Sequence, residues 1–261
     1  MNKKIALAMN AEPLVPAIDR VPLRSPLEEC AAEKLGVQSE AECQLLSLIL
    51  THGIITKATW QATTGFSVDD LSNAMWSLTR RRLVVARPLY LKTTYFMLST
   101  LAASILELPT SRAKALHGDG KLRAFARLQF FTVYFPNAAR LSKCDLAERL
   151  GKPVDGLPVG YFTLADRADW FGFLRIDGHM TSLPMRSARA IRDDVVRAVS
   201  VEDIREKIKQ KRFEWYWITA RQSRADAVMK LFKTLDVGKA RVTTVVMPEL
   251  LPLIPKTERS V

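Results

Sequence analysis

Residues 67–82 read SVDDLSNAMWSLTRRR, and this stretch decides the interpretation of the chain. Ser67 is a residue type that caps helices by accepting a bond from a first-turn backbone N–H. A helical spacing of three, four and three residues places one apolar face inward, made of Val68, Leu71, Met75 and Leu78. The open face is then Asp69, Asp70, Ser72, Asn73, Trp76, Ser77, Thr79 and Arg80. Side chains of these polar types can hydrogen-bond to the edges of bases.

Two helices precede this segment and two strands follow it. Ser39 and Gly53 have the composition of a helix start and stop, and Thr56 is typical of a cap for a second helix that ends before Gly65. After the third helix, residues 83–87 and 92–98 are β-branched and aromatic around Pro88, and a further helix follows at 100–108. This order predicts a winged helix-turn-helix DNA-binding domain at residues 39–110.

The docking geometry of such domains assigns a role to each polar side chain. We expect the third helix to enter the major groove of double-stranded DNA with Ser72, Asn73, Trp76 and Arg80, while Arg81, Arg82 and the wing residue Lys92 contact phosphates. A protein-docking or dimerisation module with the same helices is the alternative, because an open Trp76 can equally anchor a protein partner or a second copy of the chain. Asp69 and Asp70 would repel phosphates, which favours that alternative.

The charge of the chain favours an anionic partner. The formal net charge is +12 and the sequence pI is about 9.8. Residues 1–110 carry 11 Lys and Arg against 10 Asp and Glu, whereas residues 111–261 carry 28 against 17. The second half is therefore expected to grip the duplex, and its densest basic cluster is Lys207, Lys209, Lys211 and Arg212.

Cysteine usage and hydropathy predict a cytoplasmic protein that does not enter a membrane. The three cysteines are odd in number and lack metal-ligand spacing, which favours reduced thiols over disulfides or a zinc site. No apolar run approaches the length of a membrane span. Residues 1–38 contain Pro13, Pro16, Pro22 and Pro26, which predicts an extended N-terminal arm.

Residues 111–261 are predicted to form a basic, mixed α/β domain, so that the whole chain is α+β. A helix at 121–135 and a short helix between Ser142 and Gly151 come first, followed by a meander of strands at 159–165, 170–176 and near 180–183. Two helices then fill 187–211. Strands at 213–219 and 241–246, joined by a helix at 221–235, predict a parallel β-α-β unit.

Three segments carry a resemblance to a known family. The runs AECQLLSLILTHGIIT at 41–56, LTRRRLVV at 78–85 and YFMLS at 95–99 resemble the winged-helix half of the replication-relaxation proteins of plasmids and other mobile elements. A family of plasmid mobilisation relaxases with a restriction-endonuclease-like domain is similar in layout. The resemblance covers roughly the first 110 residues and beyond them concerns the order of elements alone. It implies a DNA-binding protein of a plasmid, phage or integrative element that acts in mobilisation, replication or transcriptional control.

For the second half, the resemblance to a restriction-endonuclease-like core implies two acids on adjacent strands and a Lys two residues after the second acid, binding Mg²⁺ and activating water. Asp166 and Asp177 are the candidate acids, and His179 stands where the Lys is expected. A nickase dependent on Mg²⁺ or Mn²⁺ is therefore the alternative function. Because the Lys is missing and Asp and Gly also form turns, the favoured interpretation is a non-catalytic relative without a cofactor. The sequence also lacks a His-x-His pair, a phosphate-binding glycine loop and a serine nucleophile elbow.

Overall fold

The computed structural model describes residues 31–151, 157–178, 183–235 and 240–254. The fold is mixed α+β with two sheets, one of three strands and one of five. No helix in these ranges is both long and apolar enough to cross a membrane.

The first sheet belongs to a helix–strand–helix–helix–hairpin unit. Its elements are α1 (Glu40–His52), β1 (Ile55–Thr56), α2 (Lys57–Thr63), α3 (Val68–Arg80), β2 (Val84–Tyr90), β3 (Thr93–Leu98) and α4 (Thr100–Ile105). The strand order is β1-β3-β2 with antiparallel pairing throughout. The predicted caps Ser39, Thr56 and Ser67 are confirmed, since each side chain accepts from a backbone N–H of its helix. Gly53 ends α1 with φ of 85°, the left-handed conformation that glycine adopts most easily.

Two expectations for this unit are wrong in part. Residues 31–34 are helical, with Ala31 and Leu35 buried, so the extended arm does not reach residue 38; residues 1–30 lie outside the described ranges. Val68 is 55% exposed because it is the first residue of α3, and the inward face is completed instead by Ala74. Pro88 lies within β2, where it is tolerated because β2 is an edge strand.

The second sheet is flanked by the remaining helices. In chain order the elements are a 3₁₀ turn (Thr110–Ala113), α5 (Asp119–Gln129), a π turn (Phe130–Tyr134), β4 (Ala138–Arg140), α6 (Lys143–Leu150), β5 (Tyr161–Leu164), β6 (Arg167–Ile176), α7 (Pro184–Val199), α8 (Glu202–Lys209), β7 (Phe213–Thr219), α9 (Gln222–Phe232), β8 (Val242–Val246) and a 3₁₀ turn (Pro248–Leu253). The strand order is β4-β5-β6-β7-β8. The predicted parallel pairing of β7 with β8 is confirmed, and β6 also pairs with β7 in parallel.

The predicted hairpin at Asp177-Gly178 is wrong. The sheet neighbours of β6 are β5 and β7, and the chain leaves Gly178 to reach α7 at Pro184. The third meander strand was expected near residues 180–183, of which 179–182 lie outside the described ranges. Strand β7 runs parallel to β6, and a tight turn cannot connect two parallel neighbours. The connection is therefore a crossover that contains α7 and α8.

One buried cluster extends across both predicted domains. It contains Leu45 and Trp60 from the first unit and Phe130, Phe162 and Ile218 from the second. Phe130, in the π turn, lies 4.6, 5.3 and 5.7 Å between ring centroids from Phe135, Phe162 and Tyr216. Residues 39–110 and 111–254 therefore share a core.

Close packing in this core predicts a specific sensitivity at Gly172. A Cβ added there would overlap the ring of Phe162, which is fully buried between neighbouring aromatic rings. We expect Gly172→Ala to lower the free energy of unfolding in urea by about 1–3 kcal/mol, as overpacking does. Gly65→Ala is the matched control, since nothing lies within 4 Å of its added Cβ, and should change stability by less than about 0.5 kcal/mol. Equal effects of the two substitutions would contradict the packing.

Candidate nucleic-acid interface

An aromatic contact packs the turn between helices α2 and α3 against α2. Trp60 of α2 is completely buried, and its ring stacks on Phe66 in the turn with centroids 5.9 Å apart. On α3, Leu71, Ala74 and Leu78 face the core. These contacts fix which side of α3 faces outward.

The outward side of α3 carries the four side chains that the sequence assigned to base contacts. Ser72, Asn73, Trp76 and Arg80 are all exposed, and the structure brings them to one helix face. Trp76 is 63% exposed, and the guanidinium carbon of Arg80 lies 5.1 Å from the centroid of its ring. A shallow cavity of about 420 Å³ adjoins this face and is also lined by Lys57, Met75, Thr79, Ala86 and Phe96.

The two acids at the start of α3 differ in their roles. The Ser67 hydroxyl donates to Asp70 Oδ2 at 2.7 Å, the Ser67 amide donates to the same oxygen at 3.0 Å, and Asp70 N donates back to Ser67 Oγ at 3.1 Å. These two bonds to the carboxylate lower the pKa of Asp70, because they stabilise its charged form. Both acids are exposed, but Asp70 is part of a capping box and Asp69 is not.

The Arg80-Arg81-Arg82 run divides into three different environments. Arg81 Nη2 lies 2.5 Å from Glu42 Oε2, and Arg81 Nη1 donates to the carbonyl of Gly36 at 2.6 Å. Glu42 is buried, so Arg81 contributes to the fold, and the phosphate contact expected of it stays a prediction. Arg82 is exposed at the end of α3 in the left-handed conformation, with φ of 58°.

The turn of the β2–β3 hairpin carries two exposed residues. Leu91 is 93% exposed with φ of 44°, and Lys92 beside it is exposed as predicted. Lys121 of α5 donates to the carbonyl of Pro88 at 2.8 Å, which connects the β2–β3 hairpin to the second unit.

Most of the basic cluster at 207–212 is engaged locally. Lys207 Nζ lies 4.6 Å from the ring centroid of Phe171, and Lys209 Nζ lies 2.6 Å from Glu206 Oε1. Arg212 Nη1 lies 3.4 Å from Asp169 Oδ2. Lys211 is exposed, and no ion pair involves it in the part of the chain that the structure describes. The cluster is therefore a weaker anion-binding surface than its composition suggests.

The two candidate metal-binding acids lie at opposite ends of one strand. Asp166 precedes β6 and Asp177 follows it, so a ten-residue strand separates them by roughly 30 Å. Asp177 is buried in an ion pair with Arg224 and also accepts from the hydroxyl of Ser187 at 3.2 Å. One metal ion cannot bind both carboxylates, and the nickase alternative loses its ligand set. His179 lies outside the described residues.

The structure assembles a group of arginines to which the sequence interpretation gave no role. Arg123 and Arg127 from α5, Arg140 from β4 and Arg175 from β6 line a cavity of about 340 Å³. Arg112 lies nearby, since the charge of Arg140 contributes to lowering its pKa, and it donates to the carbonyl of Leu50 in α1. The i,i+4 spacing of Arg123 and Arg127 is visible in the sequence, but the sequence does not show that β4 and β6 bring Arg140 and Arg175 beside them.

The pKa of His52 reflects its burial and the positive charge of the neighbouring arginines. Burial lowers the pKa of His52 to about 4, and the positive charges of Arg140 and Arg127 add to the effect. The imidazole stacks on Phe131 with centroids 6.2 Å apart. The last turn of α1 would ordinarily favour a protonated His, so burial and the arginines outweigh the helix dipole here.

Comparison of the chain with protein-family models, with curated proteins and with solved structures finds no match. The resemblance to replication-relaxation proteins therefore stays a prediction, and the geometry above carries the functional argument.

The environment of Arg81 predicts a stability effect. Arg81→Met leaves the carboxylate of Glu42 buried with only the amide of Gln38 as a remaining donor, at 2.8 Å. We expect the free energy of unfolding to fall by roughly 1–3 kcal/mol, as for a charged acceptor that loses its main partner. Arg82→Met, which removes an exposed guanidinium from the adjacent position, should change it by less than about 0.5 kcal/mol. If Arg81→Met is as stable as the parent in urea titrations, the ion pair does not support the fold.

The lowered pKa of His52 predicts a pH dependence of stability. The folded state binds fewer protons than the unfolded state between pH 6.5 and about 4, so the stabilisation is complete above pH 6.5 and is lost as the pH falls through this window. His52→Gln should reduce the loss of stability between pH 7 and 4.5 by roughly 1–3 kcal/mol. His117→Gln, at an exposed histidine, should leave the profile unchanged. Parallel pH profiles for the parent and His52→Gln would contradict the assignment.

Proposed function

We propose that residues 39–110 are a winged helix-turn-helix and that the chain binds double-stranded DNA with α3 in the major groove. The order of elements and the strand order β1-β3-β2 support the proposal, because they set a helix-turn-helix beside a hairpin. In line with the family resemblance, we place this activity in the mobilisation, replication or transcriptional control of a mobile element.

The proposal depends on the exposed row of α3, which consists of Ser72, Asn73, Trp76 and Arg80. Asn73 can form two hydrogen bonds to an adenine, and Arg80 can form two to a guanine. Trp76 lies between the turns that carry them and offers an apolar surface to a thymine methyl group or a deoxyribose. The stacking of Arg80 on Trp76 limits the rotamers of both side chains, which reduces the entropy that binding would cost.

Cations around this row suit the phosphates on either side of a groove. Lys57 at the start of α2, Arg82 after α3, and Arg87 and Lys92 on the hairpin are exposed. Across the described ranges no ion pair involves any of these four, so their charges are available. The left-handed backbone at Arg82 is one that a glycine would adopt more easily, and it supports a role for the side chain beyond folding. Arg81 is omitted from this set because it pairs with Glu42.

A protein-docking function is the second candidate, and one observation favours it. The large exposed surface of Trp76 adjoins a cavity that includes Met75, Ala86 and Phe96, as an anchor for an apolar side chain of a partner would. Failure of the protein to bind any duplex at 50 mM salt would favour this candidate over DNA binding, since phosphate contacts are strongest at low salt.

Arg80 provides the test of the proposal. Fluorescence anisotropy with a labelled 30-base-pair duplex of mixed sequence measures affinity as a function of salt. We expect Arg80→Met to weaken binding by about tenfold and to reduce the slope of log K against log salt by about one, as the loss of one cationic contact predicts.

The matched control is Arg189→Met, because Arg189 is an exposed arginine on α7 of the second unit. It should leave both the affinity and the slope within error of the parent. The placement of α3 would be contradicted if Arg80→Met kept the affinity and slope of the parent, or if Arg189→Met had an equal effect.

A further inference from the structure

The cavity lined by Arg123, Arg127, Arg140 and Arg175 has an excess of positive charge in a partly buried place. Asp194 is also at its wall, but its carboxylate is already paired with Arg175 and with Arg197, the latter at 2.8 Å. Arg123 Nη2 lies 4.0 Å from Asp119 Oδ2. Of the acids in the described ranges, none forms an ion pair with Arg127 or Arg140.

Burial lowers the pKa of three arginines in and beside this cavity, with added repulsion between like charges at Arg127 and Arg112. Burial lowers the pKa of Arg127 to about 10, with contributions from the charges of Arg140 and Arg123. Burial also lowers the pKa of Arg140 and of Arg112. Partly buried charges of one sign without counter-charges are unfavourable, so an anion that enters the cavity gains their attraction and relieves their mutual repulsion.

The volume and the lining of the cavity indicate which class of anion it can bind. Its volume of about 340 Å³ lies at the lower end of the range for small-molecule sites, which is larger than a bare inorganic ion requires. Phe131, Val159 and Phe173 add apolar lining to the same cavity. Arginine guanidinium groups bind phosphate oxygens through paired N–H donors. Arg127 and Arg140, which form no ion pair within the described ranges, match the two charges of a phosphate monoester.

We propose that this cavity binds the phosphate monoester of a 5′-nucleotide, with Arg127 and Arg140 holding the phosphate and the apolar lining holding the sugar or base. The nucleotide is either a free mononucleotide or the 5′-phosphorylated end of a DNA strand. This site is separate from the α3 face, so its binding does not depend on the proposed major-groove contact.

Isothermal titration calorimetry in HEPES and chloride tests the site with thymidine 5′-monophosphate and with inorganic phosphate. We expect the parent protein to bind the nucleotide more tightly than inorganic phosphate. Arg127→Met and Arg140→Met should each weaken nucleotide binding at least tenfold, and Arg189→Met should not change it. Equal binding by Arg127→Met and the parent would overturn the proposal.

Thermal unfolding separates a ligand-binding role from a structural one. In phosphate-free buffer Arg127→Met should unfold at the same temperature as the parent or higher, because it removes an uncompensated charge. Addition of the nucleotide should raise the midpoint of the parent and not that of the variant. A lower midpoint of Arg127→Met without ligand, together with an unchanged nucleotide-induced rise, would show that the arginine serves only the fold.

The pH dependence of nucleotide affinity shows which ionisation state of the phosphate is bound. The second ionisation of a phosphate monoester is near pH 6, so nucleotide affinity should rise between pH 5.5 and 7.5, whereas sulfate, used as a dianion of constant charge, should show no such rise. An unchanged nucleotide affinity over this range would contradict binding of the dianion.

A competition experiment distinguishes a free nucleotide from a strand end as the natural ligand. It compares how a 5′-phosphorylated duplex and the same duplex bearing a 5′-hydroxyl compete with the nucleotide. Competition by the phosphorylated duplex alone assigns the strand end, and competition by neither duplex assigns the free nucleotide.

Discussion

The packing of Phe130 against Phe135, Phe162 and Tyr216 anchors the end of α5 on the five-stranded sheet, and the buried cluster to which these rings belong extends into the first unit. Phe130 begins the π turn in which α5 ends, and the wider hydrogen bonding of that turn places Phe130 and Phe131 side by side toward the interior. Leu122, Phe125 and Leu128 on α5 belong to the same buried cluster as Leu45 and Trp60 of the first unit. Helix α5 therefore shares one buried cluster with the first unit and, through Phe130, packs on the five-stranded sheet.

That constraint also creates the arginine cavity. With its apolar side buried in the shared core, α5 presents Arg123 and Arg127 toward the ends of β4 and β6, where Arg140 and Arg175 lie. Gly178 follows β6 at this place, and a Cβ there would lie 2.5 Å from Arg123 Nε. A residue that the sequence marks as a turn former thus leaves room for a guanidinium group.

Local signals in the sequence were sufficient for the helix ends and most strands. Ser39, Thr56 and Ser67 cap their helices because capping depends on a few neighbouring residues. Arg81 and Asp177 could not be assigned in this way, since their partners Glu42 and Arg224 lie 39 and 47 residues away in the chain. The arginine cavity was missed for the same reason, because its four arginines come from three elements that only the tertiary fold brings together.

The proposal that α3 contacts DNA can be tested through Trp76 in the unmodified protein. All five tryptophans lie in the described ranges, and Trp60, Trp170, Trp215 and Trp217 are buried, so acrylamide should quench the fluorescence of Trp76 alone. The account predicts that a saturating duplex removes this quenchable component while the emission of the other four stays unchanged. Duplex binding that leaves Trp76 as accessible to acrylamide as in the free protein would contradict it.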